Sequence, residues 1–247
     1  MLEEIHTEGA YSEPFYTKED KKIVASDWDE AMKPLKRKRG LSWYNRVGPL
    51  VVDLYLNMDA YSRRYYPEYS VHNLCREFPC LTATLSIRKG GISPDKHNEQ
   101  YTEEAKSIRE KAYIPIGGDL ELDQIITGYE RYFEDIASIN YPGHFTEFED
   151  LVLICGWTKR KEKIEYALNL VHKLLCSNDK WYSTLCWRNG HYEEGQFVEG
   201  EYVEGLFDER FKEWEESAWD GDKLNAIFES ELKKHKLEKI PERRIIF

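Results

Sequence analysis

Leu50-Val51-Val52-Asp53-Leu54-Tyr55-Leu56-Asn57-Met58 alternates with a period of two. Leu50, Val52, Leu54, Leu56 and Met58 fall on one face, and Val51, Asp53, Tyr55 and Asn57 on the other. Successive side chains of a strand point to opposite faces, so the stretch predicts a strand with one buried side. The same alternation recurs at Leu81, Ala83, Leu85 and Ile87, against Thr82, Thr84, Ser86 and Arg88. Residues 41–46 and 69–75 are shorter β-like runs, and Val47-Gly48-Pro49 is a turn signal between the first two strands. Four strands with one apolar face predict an antiparallel meander covered on that side by helices.

Outward from this core the pattern changes. Residues 1–17 have no periodicity and read as a loose lead-in. A helix is expected from about Lys18, or from a Ser26 cap, through a kink at Pro34 to a stop at Gly40. Lys36, Arg37, Lys38 and Arg39 would then sit at its negative end. After Ser93-Pro94 the apolar spacing becomes helical: Tyr101, Ala105, Ile108 and Ala112 form one stripe, and Leu122, Ile125, Ile126, Tyr129, Phe133 and Ile136 a wider one. Further stripes lie at Ile164, Ala167, Leu168, Val171 and Leu175, at Phe207, Phe211 and Trp214, and at Leu224, Ile227, Phe228 and Leu232. Residues 150–157 are apolar without a period and fit helix or strand equally. No linker composition interrupts the chain. The expectation is one α+β domain over residues 1–247, a meander in the first half and mainly helix in the second.

Trp28-Asp29-Glu30-Ala31-Met32-Lys33-Pro34-Leu35-Lys36-Arg37-Lys38-Arg39-Gly40-Leu41, followed by Trp43-Tyr44-Asn45-Arg46 and the alternating strand, resembles a bacterial family, domain of unknown function 4304. Members carry a helix ending in a Pro-Leu-Lys…Gly-Phe phrase, then an aromatic-Arg strand and a long amphipathic strand. Here Leu41 stands where Phe is typical, and the connection from Gly40 to Tyr44 is shorter. The resemblance covers about residues 25–90 and implies an α+β fold and bacterial origin, with no activity to carry over.

Composition narrows the function class. Seven Trp and seventeen Tyr belong to a chain with a core to bury. No stretch reaches the eighteen apolar residues of a membrane span, and the acidic start Met1-Leu2-Glu3-Glu4 is unlike a signal peptide. Five scattered Cys suit reduced thiols, so a cytoplasmic location is expected. A net charge of −11 argues against nucleic acid, which demands a basic face. The charge is also localised. Residues 188–222 hold twelve carboxylates against Arg188, Arg210 and Lys212, a balance of −9 in 35 residues. Within them, Glu194-Gly195-Gln196-Phe197, Glu199-Gly200-Glu201-Tyr202 and Glu204-Gly205-Leu206-Phe207 repeat a Glu-Gly-x-aromatic unit. The bland reading is a solvated loop. The sharper one is an arm that grips a basic protein, Glu199, Glu201 and Glu204 steering it and Phe197, Tyr202, Phe207 and Trp214 supplying burial.

No residue pattern names a reaction. His72, Cys75 and Cys80, like Cys176, Cys186 and His191, have zinc-ligand types without paired spacing, so no metal is expected. Gly117-Gly118-Asp119 is too short for a phosphate loop, no cofactor fingerprint occurs, and none is expected. Asp119, Glu121 and Asp123 suit a helix start, and Asp222 suits the cap of the last helix. His144, after Pro142-Gly143, is the one catalytic candidate, with Glu147 or Asp119 as its carboxylate in a hydrolase. The sequence favours a non-enzymatic acidic binding protein, in the manner of immunity proteins that neutralise nuclease toxins. The hydrolase is the alternative, and self-association through exposed rings a third outcome.

Overall fold

Thr17 starts the first helix: its hydroxyl accepts from the Asp20 amide while its own N–H donates to the Asp20 carboxylate, a reciprocal capping box. The computed structural model describes residues 16–59, 61–138, 145–188, 191–193 and 196–247. Helix α1 (Lys18–Ala31) stops well before Gly40, because Pro34 lacks an N–H and disfavours helical backbone at Lys33. The basic phrase is therefore strand β1 (Lys36–Arg39) and not a helix end. Gly40, at φ +55°, turns the chain into β2 (Ser42–Val47). All four side chains of β1 are exposed, and a row of like charges on an edge strand deters pairing with another chain.

Strands β3 (Leu50–Asp59) and β4 (Arg64–Asn73) pair without slip from Leu50 opposite Asn73 to Asp59 opposite Arg64. The expected run 69–75 overlaps the tail of this longer strand, which Pro67 enters without harm. Opposite it, Leu56 N–H goes to Leu41, and the Pro67 carbonyl accepts from Lys89, beyond the next strand. That strand, β5 (Thr84–Arg88), begins later than the alternation from Leu81 suggests. Its register slips opposite Tyr69 and Val71, Leu85 takes φ +48°, and the bulge turns both Thr84 and Leu85 inward.

A 3₁₀ turn at Pro94–Lys96 leads into α2 (His97–Lys111), then β6 (Leu120–Glu121) and α3 (Leu122–Ser138). The ambiguous run 150–157 is helical, part of α4 (Thr146–Trp157). Nearly its whole circumference is buried, so no stripe marks it in the sequence. Then come α5 (Lys161–Cys176), α6 (Asp179–Leu185) and four short strands: β7 (Trp187–Arg188), β8 (His191–Glu193), β9 (Gln196–Val198) and β10 (Glu201–Tyr202). Helices α7 (Leu206–Trp219) and α8 (Gly221–Lys234) follow, with β11 (Glu242–Arg243) and β12 (Ile245–Ile246) beyond them. Asp220, not Asp222, caps α8 by accepting from the Lys223 amide; Asp222 pairs instead with Lys159 at 2.5 Å.

The fold is α+β. Its sheet runs β1-β2-β3-β4-β5, antiparallel throughout, and β11 adds to β2 in parallel. Helices α1 to α3 cover the inner face, where Trp28, Ile108 and Tyr129 pack with Trp43, Leu54, Tyr69 and Val71. A buried relay ties three elements together. Trp28 Nε1–H donates to Tyr65 OH at 3.2 Å, Tyr65 meets His97 Nδ1 at 2.7 Å, and His97 Nε2 meets Asp27 at 2.9 Å. With the Trp28 donor on the phenol, its proton goes to Nδ1 and leaves Nε2–H for the carboxylate. Behind the sheet α4 and α7 cross closely, since a Cβ on Gly156 would lie 2.5 Å from the Ala218 carbonyl oxygen. Half of the outer sheet face is closed by α8: Phe228 and Leu232 pack with Leu237 over Val51 and Leu74. The other half is open. No helix among the described residues is long and apolar enough to cross a membrane.

Candidate functional site

The acidic segment folds into two ribbons and one helix. Strands β8 and β9 form a hairpin, and β10 pairs with β7 so that Tyr202 stands opposite Trp187. Neighbouring cross-strand side chains lie on the same face of a ribbon. Both rings are about half exposed, Tyr202 at 53% and Trp187 at 47%. Glu199, Glu201 and Glu204 of the same segment are exposed. On α7, Asp208, Glu209, Glu213, Glu215 and Glu216 face solvent, with Trp219 exposed at its end.

Two of the rings expected in this set turn inward. Phe207 is 1% exposed and packs on Tyr182, ring centroids 4.9 Å apart, and Trp214 is likewise buried. Both belong to the apolar stripe that docks α7, so helical spacing places them in the core and not on the partner face. Phe197 is in β9, and its side chain lies outside the described residues. Arg210 does not pair with the carboxylates of this segment, because its guanidinium is turned to backbone, whereas Lys212 lies within ion-pair range of Glu216 at 3.8 Å. Arg210 donates to the Leu185 carbonyl at 2.7 Å and the Trp187 carbonyl at 3.1 Å, pinning the β7 ribbon to α7.

His144 lies outside the described residues. The carboxylates expected beside it are committed elsewhere. Asp119 accepts Arg244 Nε at 2.9 Å and Nη2 at 2.7 Å, together with the Arg244 amide, which holds its carboxyl below the usual range. Glu147 is buried and accepts from Tyr132 at 3.0 Å; burial pushes it up to about 7. One turn on, Asp150 has no solvent exposure, and burial pushes it up to about 8 despite Arg76, whose Nη2 lies 3.3 Å away. Arg76 also donates to Glu149 at 2.9 Å. These groups form an enclosed acid–guanidinium knot under α4. His72 is buried too, and its Nδ1 accepts the Thr82 amide at 2.9 Å; burial first, then Arg76, lowers it to about 4. Among the described residues no three His, Cys, Asp or Glu side chains converge as metal ligands.

The open half of the outer sheet face was not flagged by any residue pattern. It holds a cleft of about 500 Å³ whose floor is the second set of the opening alternation. Register places Asp53 between Tyr44 on β2 and Ser70 on β4, with Tyr55 and Glu68 opposite each other one step along. Ser70 Oγ donates to Asp53 Oδ1. Burial, with Glu68 adding repulsion, pushes Asp53 up to about 7. Glu68 itself is held by Arg88 and Asn57, each at 3.2 Å. The signal was a carboxylate in a strand whose other wet-face neighbours are Val51 and Tyr55, and such positions ordinarily read as solvated.

Comparison with protein-family models, curated proteins and solved structures finds no match, so the resemblance of residues 25–90 rests on its sequence phrases.

Proposed function

We propose that this chain is an acidic binding protein without chemistry of its own, which captures a basic protein partner as immunity proteins capture nuclease toxins. The observation that supports it is the Trp187–Tyr202 pair, half exposed on one ribbon in a segment that also exposes Glu199, Glu201 and Glu204. Large rings supply the apolar anchor of an interface, and the carboxylates speed encounter with a cationic surface. The expected signature is fast association that slows steeply with salt, because surface charges are screened within about 8–10 Å at ordinary ionic strength. The partner face is Tyr202, Trp187 and the carboxylates of β10 and α7, without Phe207 and Trp214. The test compares the native protein with the Glu199→Lys/Glu201→Lys/Glu204→Lys variant. A basic protein captured by the native chain should be lost by the variant and regained by neither Tyr202→Ala nor Trp187→Ala. Equal retention by native and charge-reversed proteins overturns the reading.

A further inference from the structure

We infer that the open cleft on the outer sheet face binds an alkylammonium group, with Asp53 as its counter-ion. Three observations carry this, and none depends on the acidic ribbon. The cleft encloses about 500 Å³, the volume of a small-ligand site, and it is lined by hydroxyls and rings more than by aliphatic side chains. Asp53 lies in its floor without a cation. Its Oδ1 takes the Ser70 hydroxyl, and no protein donor among the described residues reaches Oδ2. Two neighbouring cations are committed, Arg88 to Glu68 and Lys38 to the His235 and Lys236 carbonyls at 3.0 and 2.8 Å, while Lys36, opposite Tyr44 on the edge strand, is exposed.

The stereochemistry favours ammonium over guanidinium. An ammonium is a compact charge with three rotatable donors that the free oxygen and the surrounding hydroxyls can share, whereas a planar guanidinium fork is best matched by both carboxylate oxygens. An ammonium there would have Ser42, Ser70 and Thr82 within the same cleft as acceptors, and the rings of Tyr44 and Tyr55 to cover its methylenes. The ligand is either a free primary amine or a lysine side chain, and the shared chemistry is R–NH₃⁺.

The proton balance follows. The titratable or charged groups facing Asp53 are Tyr44 from β2, Tyr55 from β3, Glu68 and His72 from β4, and Arg88 from β5. Burial holds the Tyr44 phenol above its ordinary value, and His72, lowered to about 4, is neutral at neutral pH. Asp53, pushed up to about 7, changes charge between pH 6 and 8, and an ammonium binds only its ionised form. Affinity should therefore rise about tenfold from pH 6 to pH 8, with a proton released on binding at the lower pH.

The experiment is a titration of the full chain with n-butylamine, and separately with the peptide acetyl-Gly-Lys-Gly-amide, followed by amide NMR shifts at Asp53, Tyr55 and Ser70. Saturable shifts with butylamine alone support a free amine as ligand, and shifts with both support a lysine side chain. Asp53→Asn keeps the shape and the Ser70 contact, and should abolish the shifts. The Glu199→Lys/Glu201→Lys/Glu204→Lys variant should bind as the native chain does, which separates this site from the partner face. Shifts that persist in Asp53→Asn, equal shifts with tetramethylammonium, or no saturation by either amine at pH 8 overturn the inference.

Discussion

Asp150→Asn exchanges a carboxyl for an amide of the same shape at a position without solvent exposure. Five ionisable groups face it: Arg76, Glu147, Glu149, Cys75 and Tyr129. Arg76 Nη2 lies within ion-pair range at 3.3 Å, but neither Asp150 oxygen is aligned in a hydrogen bond. The carboxyl titrates near 3.8 when unfolded and near 8 in the fold. The folded state thus binds the proton more tightly, and stability is fully present below pH 4 and lost as pH rises toward 8. At about 1.4 kcal/mol per pH unit, that interval sets a ceiling of about 6 kcal/mol. Interior sites respond as if their dielectric were nearer 20 than 4, so about 3 kcal/mol is the working expectation. Urea unfolding followed by fluorescence of the seven Trp, at pH 5.5 and 8.5, measures it. Glu147 and Asp53, each pushed up to about 7, also cost the native protein stability across the interval, so the prediction is a difference: Asp150→Asn should lose about 3 kcal/mol less than the native protein. At pH 5.5 the two proteins should agree within about 1 kcal/mol, since asparagine mimics the protonated acid. Parallel losses in the two proteins would refute the argument, because the charge at residue 150 would then play no part.

Three other perturbations read different parts of the structure. His72→Gln keeps an acceptor for the Thr82 amide but removes a group held near 4, whose unfolded form takes up its proton near 6.5. That stability is present above 6.5 and lost as pH falls toward 4, so the variant should withstand acid better, and an unchanged acid midpoint in circular dichroism would sink the reading. Gly156→Ala drives a methyl against the Ala218 carbonyl and should destabilise by about 2 kcal/mol, lowering Tm by about 6 °C; a calorimetric Tm within about 1 °C of native contradicts the close crossing. Arg210→Met frees the Leu185 and Trp187 carbonyls, and the amides of Trp187 and Tyr202 should exchange hydrogen about tenfold faster while those of α4 do not change. Uniform acceleration along the chain would show a general loss of stability instead.

The central hairpin was readable because its pattern is purely local. Leu50, Val52, Leu54 and Leu56 of β3 are buried on the inner face, and a period of two says so. What escaped was set by partners distant in sequence. Pro67 looks like a break until its missing donor is seen to face the gap beyond β5. Lys36–Arg39 looks like a helix end until β2 pairs with it. A helix buried on all sides, such as α4, has no contrast for a period to detect. The site followed the same rule. The localisation of charge was legible, but which rings face outward was not, because Phe207 and Tyr202 occur in the same repeat and differ only in whether a helix has begun. Asp53 was visible as a residue and invisible as a cleft, since the cleft exists only where α8 stops covering the sheet.

The parallel addition of β11 to β2 places Glu242 beside Arg46 and Arg243 beside Val47. The Arg243 guanidinium closes the join by donating to the Pro115 and Gly118 carbonyls and to the Asn45 side chain. During synthesis, β2 leaves the ribosome roughly two hundred residues before its neighbour. At translation rates of about 5–20 residues per second, that is about 10–40 seconds with the Arg46–Val47 end of β2 unpaired beyond β1 and Asn45 without its guanidinium. A nascent chain of this kind offers an open strand edge for that whole interval, so crowding on polysomes and the capture of that edge by chaperones bear on its yield more than the finished fold would indicate.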